Sequence, residues 1–214
     1  MLVGERMRRN PVTVTEDVGI GEALRIMKDN KVRRLPVLNR HGKLVGIVSE
    51  KDLLQASPSQ ATTLSIFELN YLLSKLTVKK VMTSPVITVD EQTPLEEAAR
   101  IMVDNRIGGL PVVEGDELVG IITETDLFKI FLEMLGARAS GVRLTLELPD
   151  QRGMLADLTT SIAGVGGNII SLGTFAGNTP NTALVTVKVA DVSEPALLEA
   201  ISHINGKVID IRTT

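Results

Sequence analysis

Apolar residues along the chain recur in two rhythms, every third or fourth position and every second, and the change from one to the other marks out short elements. After Pro11, Val12 to Val14 reads as extended. Ile20, Ala23, Leu24 and Met27 then fall at i, i+3, i+4 and i+7, which places one stripe on one face of a helix. Leu35 to Leu38 and Leu44 to Val48 flank a polar turn and predict a hairpin, and a second helix is expected from near Ser49. The succession returns downstream. Val86 to Val89 is extended after Pro85, Leu95, Ala98, Ala99 and Met102 stripe a helix, Leu110 to Val113 and Leu118 to Ile122 form a hairpin, and a helix opens near Thr123. Thr93-Pro94-Leu95-Glu96 predicts Thr93 as N-cap, Pro94 at the first helical position and Glu96 at the third.

These similarities are a true internal repeat. Val32-Arg33-Arg34-Leu35-Pro36-Val37 is echoed 75 residues later by Ile107-Gly108-Gly109-Leu110-Pro111-Val112, and Leu44 to Asp52 is echoed 74 residues later by Leu118 to Asp126. One residue is therefore missing from the second hairpin turn. Each copy is a β-α-β-β-α unit of about 60 residues, too small to bury its faces alone, so the two are expected to pack as one domain. Between them Ser57 to Thr63 reads as a polar loop, and Ile66, Leu69, Leu72, Leu73 and Leu76 mark a further helix that covers or extends the module.

Gly136 to Gly141 is small and reads as a flexible linker. Beyond it Val142, Leu144, Leu146 and Leu148 alternate as a half-buried strand, Leu155, Leu158, Ile162 and Val165 stripe a helix, and Gly164 to Asn168 ends it. Strands Ile169 to Phe175 and Ala183 to Val189 flank a turn at 177–181, followed by a helix near Glu194 to Ile204 and a strand Lys207 to Ile211. This β-α-β-β-α-β order is the ferredoxin-like plan. The fold class is thus α+β, with a first repeat at 1–56, a connecting loop and helix at 57–78, a second repeat at 79–136, a linker at 137–141 and a C-terminal domain at 142–214.

Composition narrows the function. Aromatic residues are 2% of the 214 and Trp is absent, so the core is aliphatic and base-stacking platforms for single-stranded nucleic acid are lacking. Net charge is −3 with Lys and Arg scattered, which gives no field to gather DNA or RNA, and no nucleic-acid partner is expected. Without cysteine there is no thiolate chemistry and no Cys-based metal site. His41, in a turn, and His203, on a helix, have no partner motif and read as surface residues, so neither catalysis nor a metal site is expected. No apolar leader or 18-residue uncharged run occurs, so a cytoplasmic location without a membrane segment is the expectation.

An apolar residue before Pro-Val, then Gly-apolar-x-Ser/Thr-x-x-Asp, occurs as Leu35-Pro36-Val37 with Gly46 to Asp52 and again as Leu110-Pro111-Val112 with Gly120 to Asp126. Present twice, the pattern resembles tandem CBS domains, a Bateman module, over roughly residues 1–136. The resemblance implies that Ser49 with Asp52 and Thr123 with Asp126 hold the ribose of an adenosyl compound such as AMP, ADP or ATP. It places Thr13, Val14, Ile87 and Thr88 beside the adenine, with Pro36, Leu110 and Pro111 in the same clefts. A carboxylate can accept from both hydroxyls of a cis-diol while the neighbouring hydroxyl makes a further bond. The same Ser/Thr-x-x-Asp spacing also serves as a helix cap, and both roles remain open. Arg33 and Arg34 suit phosphates, or else guard a solvated strand edge.

The inserted Leu69 to Leu76, the second repeat and the tail together are similar to proteins of acetoin utilisation. Asp150-Gln151-Arg152-Gly153-Met154-Leu155 and Gly167-Asn168-Ile169 resemble an ACT domain. That likeness implies an amino-acid pocket of Asp150, Arg152, Gly153 and Asn168, although Arg152 stands where the family often has Pro. Asp150 as a cap, Gly153 as a turn residue and a purely dimerising domain are the alternatives. Together these features indicate a non-catalytic regulator that needs no cofactor, takes an adenine nucleotide as regulatory ligand, forms a homodimer and acts on a partner enzyme. A structural adaptor subunit is the second choice. A transcriptional regulator, lacking a basic recognition helix, is the third.

Overall fold

The computed structural model describes residues 1–57 and 76–214. The expected loop at 57–63 and the helix of Ile66 to Leu73 therefore lie outside the described residues, Ser57 excepted. Two compact units divide between Leu127 and Phe128.

In the first unit each repeat folds as its apolar pattern predicts. Helix α2 (Ile20–Asp29) buries Ile20, Ala23 and Met27, and helix α4 (Leu95–Asn105) buries Leu95, Ala98 and Met102. Strands β2 (Val14–Thr15), β3 (Arg34–Leu38) and β4 (Leu44–Ser49) make the first sheet, with β2 parallel and β4 antiparallel to β3. In the second repeat β5 (Gly109–Glu114) and β6 (Glu117–Thr123) form the hairpin. The expected strand before α4 contributes only a bridge between Val89 and Val112. Both hairpins shift register at the same place, Val37/Leu38 and Val112/Val113, so the bulge is repeated with the sequence. Helices α3 (Glu50–Ala56) and α5 (Glu124–Met134) follow the hairpins.

Helix α4 starts one residue later than its motif predicts. Pro94 is the N-cap, without a side-chain bond. Thr93 is engaged elsewhere: its hydroxyl donates to Asp90 Oδ1 (3.0 Å) and accepts from the Asp90 N–H (3.2 Å), while its carbonyl accepts from Val3 N–H (2.9 Å).

That bond to Val3 belongs to an exchange of leading segments between the repeats. Helix α1 (Val3–Arg6) and strand β1 (Arg8–Arg9) open the first repeat, yet β1 pairs with β6 of the second, Arg8 opposite Ile121. Correspondingly, the 3-10 turn Val78–Lys80 stands at the opening of the second repeat but its Val78 lies in the first repeat's core, and Thr83 bridges to Ile47 of β4. The bonds match at a 75-residue spacing: Val3 and Gly4 N–H donate to Thr93 and Glu91 carbonyls, Val78 and Lys79 N–H to Val18 and Glu16 carbonyls. Gly46 and Gly120 make the exchange possible. A Cβ on Gly46 would stand 2.6 Å from Met82 Sδ, and one on Gly120 would collide with Met7 Sδ.

In the second unit, β7 (Val142–Pro149), α6 (Met154–Gly164), β8 (Asn168–Ala176), β9 (Thr182–Ala190), α7 (Glu194–Ala200) and β10 (Lys207–Thr213) give an antiparallel sheet in the order β10-β7-β9-β8. Val142, Leu144, Leu146, Leu148, Val185, Val187 and Val189 pack with Leu158, Ile162, Leu197 and Ile201. Leu155 and Val165 of the expected stripe are both 41% exposed, because the helix turns only Leu158 and Ile162 fully inward. The stretch expected as a flexible linker is fastened to this unit. The Gly136 carbonyl accepts from the buried Lys188 Nζ (3.1 Å), and Gly141 exchanges two backbone bonds with Thr214. Among the described residues, no helix is long and apolar enough to cross a membrane.

Candidate functional site

Strand β4 ends at Ser49 and β6 at Thr123, each at the point where the chain enters a helix, and each hydroxyl meets the carboxylate three residues on. Ser49 Oγ donates to Asp52 Oδ2 (2.6 Å) and the Ser49 N–H to the same oxygen (2.9 Å), while the Asp52 N–H donates back to Ser49 Oγ (3.2 Å). Thr123 Oγ1 and N–H donate to Asp126 Oδ2 at 2.7 and 3.1 Å. The capping role is therefore realised at Ser49. It does not use up the chemistry, because a carboxylate has about four acceptor positions and these bonds take two of them. Both pairs are half-buried, open enough to meet a solute and sheltered enough for its hydrogen bonds to count.

Other expected site residues divide by exposure. Thr13 and Thr88 are half-buried and Ile87 is 41% exposed, so their side chains are accessible. Val14 and Leu110 are not: at 5% and 0% exposure they belong to the packed interior, and Pro36 and Pro111 are buried strand residues. A side chain at the centre of a strand points either to a cleft or to the core, and here the core takes Val14 and Leu110.

Arg34 is the Cα partner of Ser49 across the first hairpin, yet its guanidinium leaves that hairpin for the second repeat. It occupies the space in front of Gly108, where a Cβ would collide with Nη2 and stand 2.7 Å from Cζ, and Nη2 lies 3.7 Å from Glu124 Oε2. Arg33 Nη2 donates to Thr125 Oγ1 at 3.4 Å. Both arginines thus reach the Thr123-Glu124-Thr125 segment.

In the second unit a cleft of about 410 Å³ opens at the end of β7, lined by Asp150, Met154, Phe175 and Thr182 among others. Beside it the Glu147 carboxyl is held below its ordinary range, first by the Thr182 hydroxyl and also by the Asn178 N–H. Gly153 caps α6 with φ +91°, a left-handed conformation that favours glycine, and Arg152 is exposed. Asn168 is not at this cleft. It opens β8, which runs parallel to β7 through their shared neighbour β9, and so it sits level with Val142, roughly 25 Å from Pro149 along the strand direction. The four residues expected to share an amino-acid pocket therefore do not converge within one chain. His203 Nε2 is 3.4 Å from Ser161 Oγ, whose proton goes to the Asp157 carbonyl (2.7 Å).

The model of the CBS domain family matches residues 3–59 and 78–133, more than half of the chain. The protein belongs to the CBS-domain family. Its CBS pair is similar to that of protein MJ0100, solved with 5′-methylthioadenosine and S-adenosyl-L-methionine, at 31% identity and a TM-score of 0.52 over 64% of this chain and 98% of that one. CBSX2, solved with AMP, matches at 32% and 0.51 over 61% and 96%. AcuB of Vibrio cholerae, assigned to acetoin utilization, matches at 33% and 0.53 over 64% and 95%. Among curated relatives from Methanocaldococcus jannaschii, the matched stretch is 34% of the length of one that is 35% identical, and 92% of another that is 34% identical. Residues 142–214 lie outside both matched CBS domains.

Within the CBS pair, Gly108 and Glu124 are the contact positions of Arg34 that motif reasoning misses. The signal is present in the repeat itself, where Arg33-Arg34 stands against Gly108-Gly109. Bulk against no bulk marks a place where one copy reaches into the other.

Proposed function

We propose that this protein is a non-catalytic regulator whose CBS pair binds adenine nucleotides or another adenosyl compound, with ribose held by Ser49/Asp52 and by Thr123/Asp126. The observation that carries this is the duplicated pair: each hydroxyl is fixed on its carboxylate by a bond of 2.6 or 2.7 Å, so the acceptors are oriented before a diol arrives. MJ0100 with methylthioadenosine and S-adenosylmethionine, and CBSX2 with AMP, support the ligand class. Arg33 and Arg34 are the phosphate-reading groups. Residues 142–214 act as a ferredoxin-like ACT domain, a role supported by their β-α-β-β-α-β order and sheet order, and they serve amino-acid binding or homodimerisation. Because Asp150 and Asn168 are far apart in one chain, an amino acid touching both needs a second copy. A partner enzyme reads the ligand state through a coupling of about 1–3 kcal/mol. Work in acetoin utilisation, as for AcuB, and a cytoplasmic location complete the proposal.

The realised cap at Ser49 favours a second function, a structural adaptor in which both pairs only end strands and start helices. Calorimetric titration with AMP, ADP, ATP and S-adenosylmethionine separates the two. The regulator binds at least one of them, and Asp52→Asn with Asp126→Asn together abolish binding without unfolding the chain. No heat from any of them leaves the adaptor.

A further inference from the structure

The two clefts of the CBS pair are chemically unequal, and the inequality lies in Arg34. Its backbone belongs to the first repeat, opposite Ser49, but its guanidinium is seated in the second, before Gly108 and beside Glu124. Gly109, the Cα partner of Thr123, also packs under Arg34, 3.2 Å from Cδ to the position of its Cβ. Nothing is returned: where the first repeat has Arg33-Arg34 the second has Gly108-Gly109, so the second repeat sends no guanidinium across to Ser49 and Asp52 from these positions. Lys31 and Arg106 do not disturb the asymmetry, since they are exposed and occupy equivalent left-handed positions with φ of 53° and 54°. Arg33 adds to it through its contact with Thr125.

Resting on the adenosyl-binding function proposed above, we infer that Arg34 makes the Thr123/Asp126 cleft the one that selects a phosphorylated adenosyl compound, and leaves the Ser49/Asp52 cleft to an unphosphorylated one. A planar, permanently charged donor fork matches a phosphate monoester. Its present counter-ion gives way readily: the Glu124 side chain is 55% exposed and its oxygen stands at 3.7 Å, a loose ion pair. A phosphate entering beside Thr123 takes the guanidinium and turns Glu124 out to water.

The test is calorimetric titration of the full chain with AMP and with adenosine. Asp52→Asn leaves the second cleft and Asp126→Asn the first. The expected result is an AMP preference of about tenfold or more in Asp52→Asn and a ratio near unity in Asp126→Asn. Added to Asp52→Asn, Arg34→Ala removes that preference and Arg34→Lys retains part of it. Gly108→Ala is the variant that spares the backbone of Arg34, because the atoms nearest its methyl are the far ends of the Arg34 and Glu124 side chains, and it too removes the preference. A preference found in Asp126→Asn, or one that survives both Arg34→Ala and Gly108→Ala, overturns the inference while leaving adenosyl binding intact. If neither compound binds the unaltered chain, the function proposed above fails with it.

Discussion

Ser49 shows how one side chain serves two ends. Its hydroxyl caps α3 by accepting from the Asp52 N–H, and its proton orients the Asp52 carboxylate. Ser49→Ala should lower the unfolding free energy by about 1 kcal/mol through the lost cap, read from thermal melts without ligand, and should also weaken adenosyl binding. Loss of stability with full affinity would confine Ser49 to the cap. A second prediction concerns Lys43, which donates to Asp116 at 2.7 Å between the two hairpin turns and, by that bond first and its charge second, holds the Asp116 carboxyl below its ordinary range. A carboxyl whose pKa is lower folded than unfolded adds stability above its unfolded value near pH 4 and loses it as pH falls through the folded one. Wild type and Asp116→Asn should therefore differ at pH 6 and low salt and melt together well below pH 4; a gap that stays constant with pH contradicts this. The Ser/Thr-x-x-Asp pairs were legible because their spacing is local. Val14 and Leu110 are buried, and a strand's apolar residue carries the same sequence signal whether it faces a ligand or the core, so only packing separates the two.

Helices and hairpins were legible wherever a period had room to show itself. Helix α2 and both hairpins fall within a residue or two of expectation, while β1, two exposed arginines long, is too short to have a period at all. What gives β1 its place is Gly120, 111 residues beyond Arg9 in the chain: with no side chain of its own, it admits Met7 and the Arg8 carbonyl, the latter 3.1 Å from where a Cβ would be. Gly120→Ala should cost about 1–3 kcal/mol by overpacking. Combined with Met7→Ala it should cost less than the sum of the two, since the smaller residue makes room for the methyl. Urea unfolding of the four proteins measures this, and strict additivity would show that the two positions do not share the space.

At the scale of the molecule, the repeat in sequence is not the repeat that folds, because each copy is completed by the segment leading into the other. Removing Met1 to Arg9 should therefore expose the amides of β5 and β6 to hydrogen exchange before those of β3 and β4, although the deleted residues belong to the first repeat in the chain. The reverse order would contradict the exchange of segments. The linker shows the same limit of local reasoning: Gly136 to Gly141 has a flexible composition, but Lys188, more than forty residues on, ties it down. The seating of Met7 and Met82 over glycines also sets how the protein meets an oxidant. A sulfoxide oxygen on either thioether would need room that Gly120 and Gly46 provide only for the unmodified sulfur. Under peroxide, mass spectrometry of peptides should find the exposed Met1 and Met134 converted first. Once Met7 or Met82 follows, the strands they lock should come apart, making oxidative damage at these two sulfurs a loss of architecture.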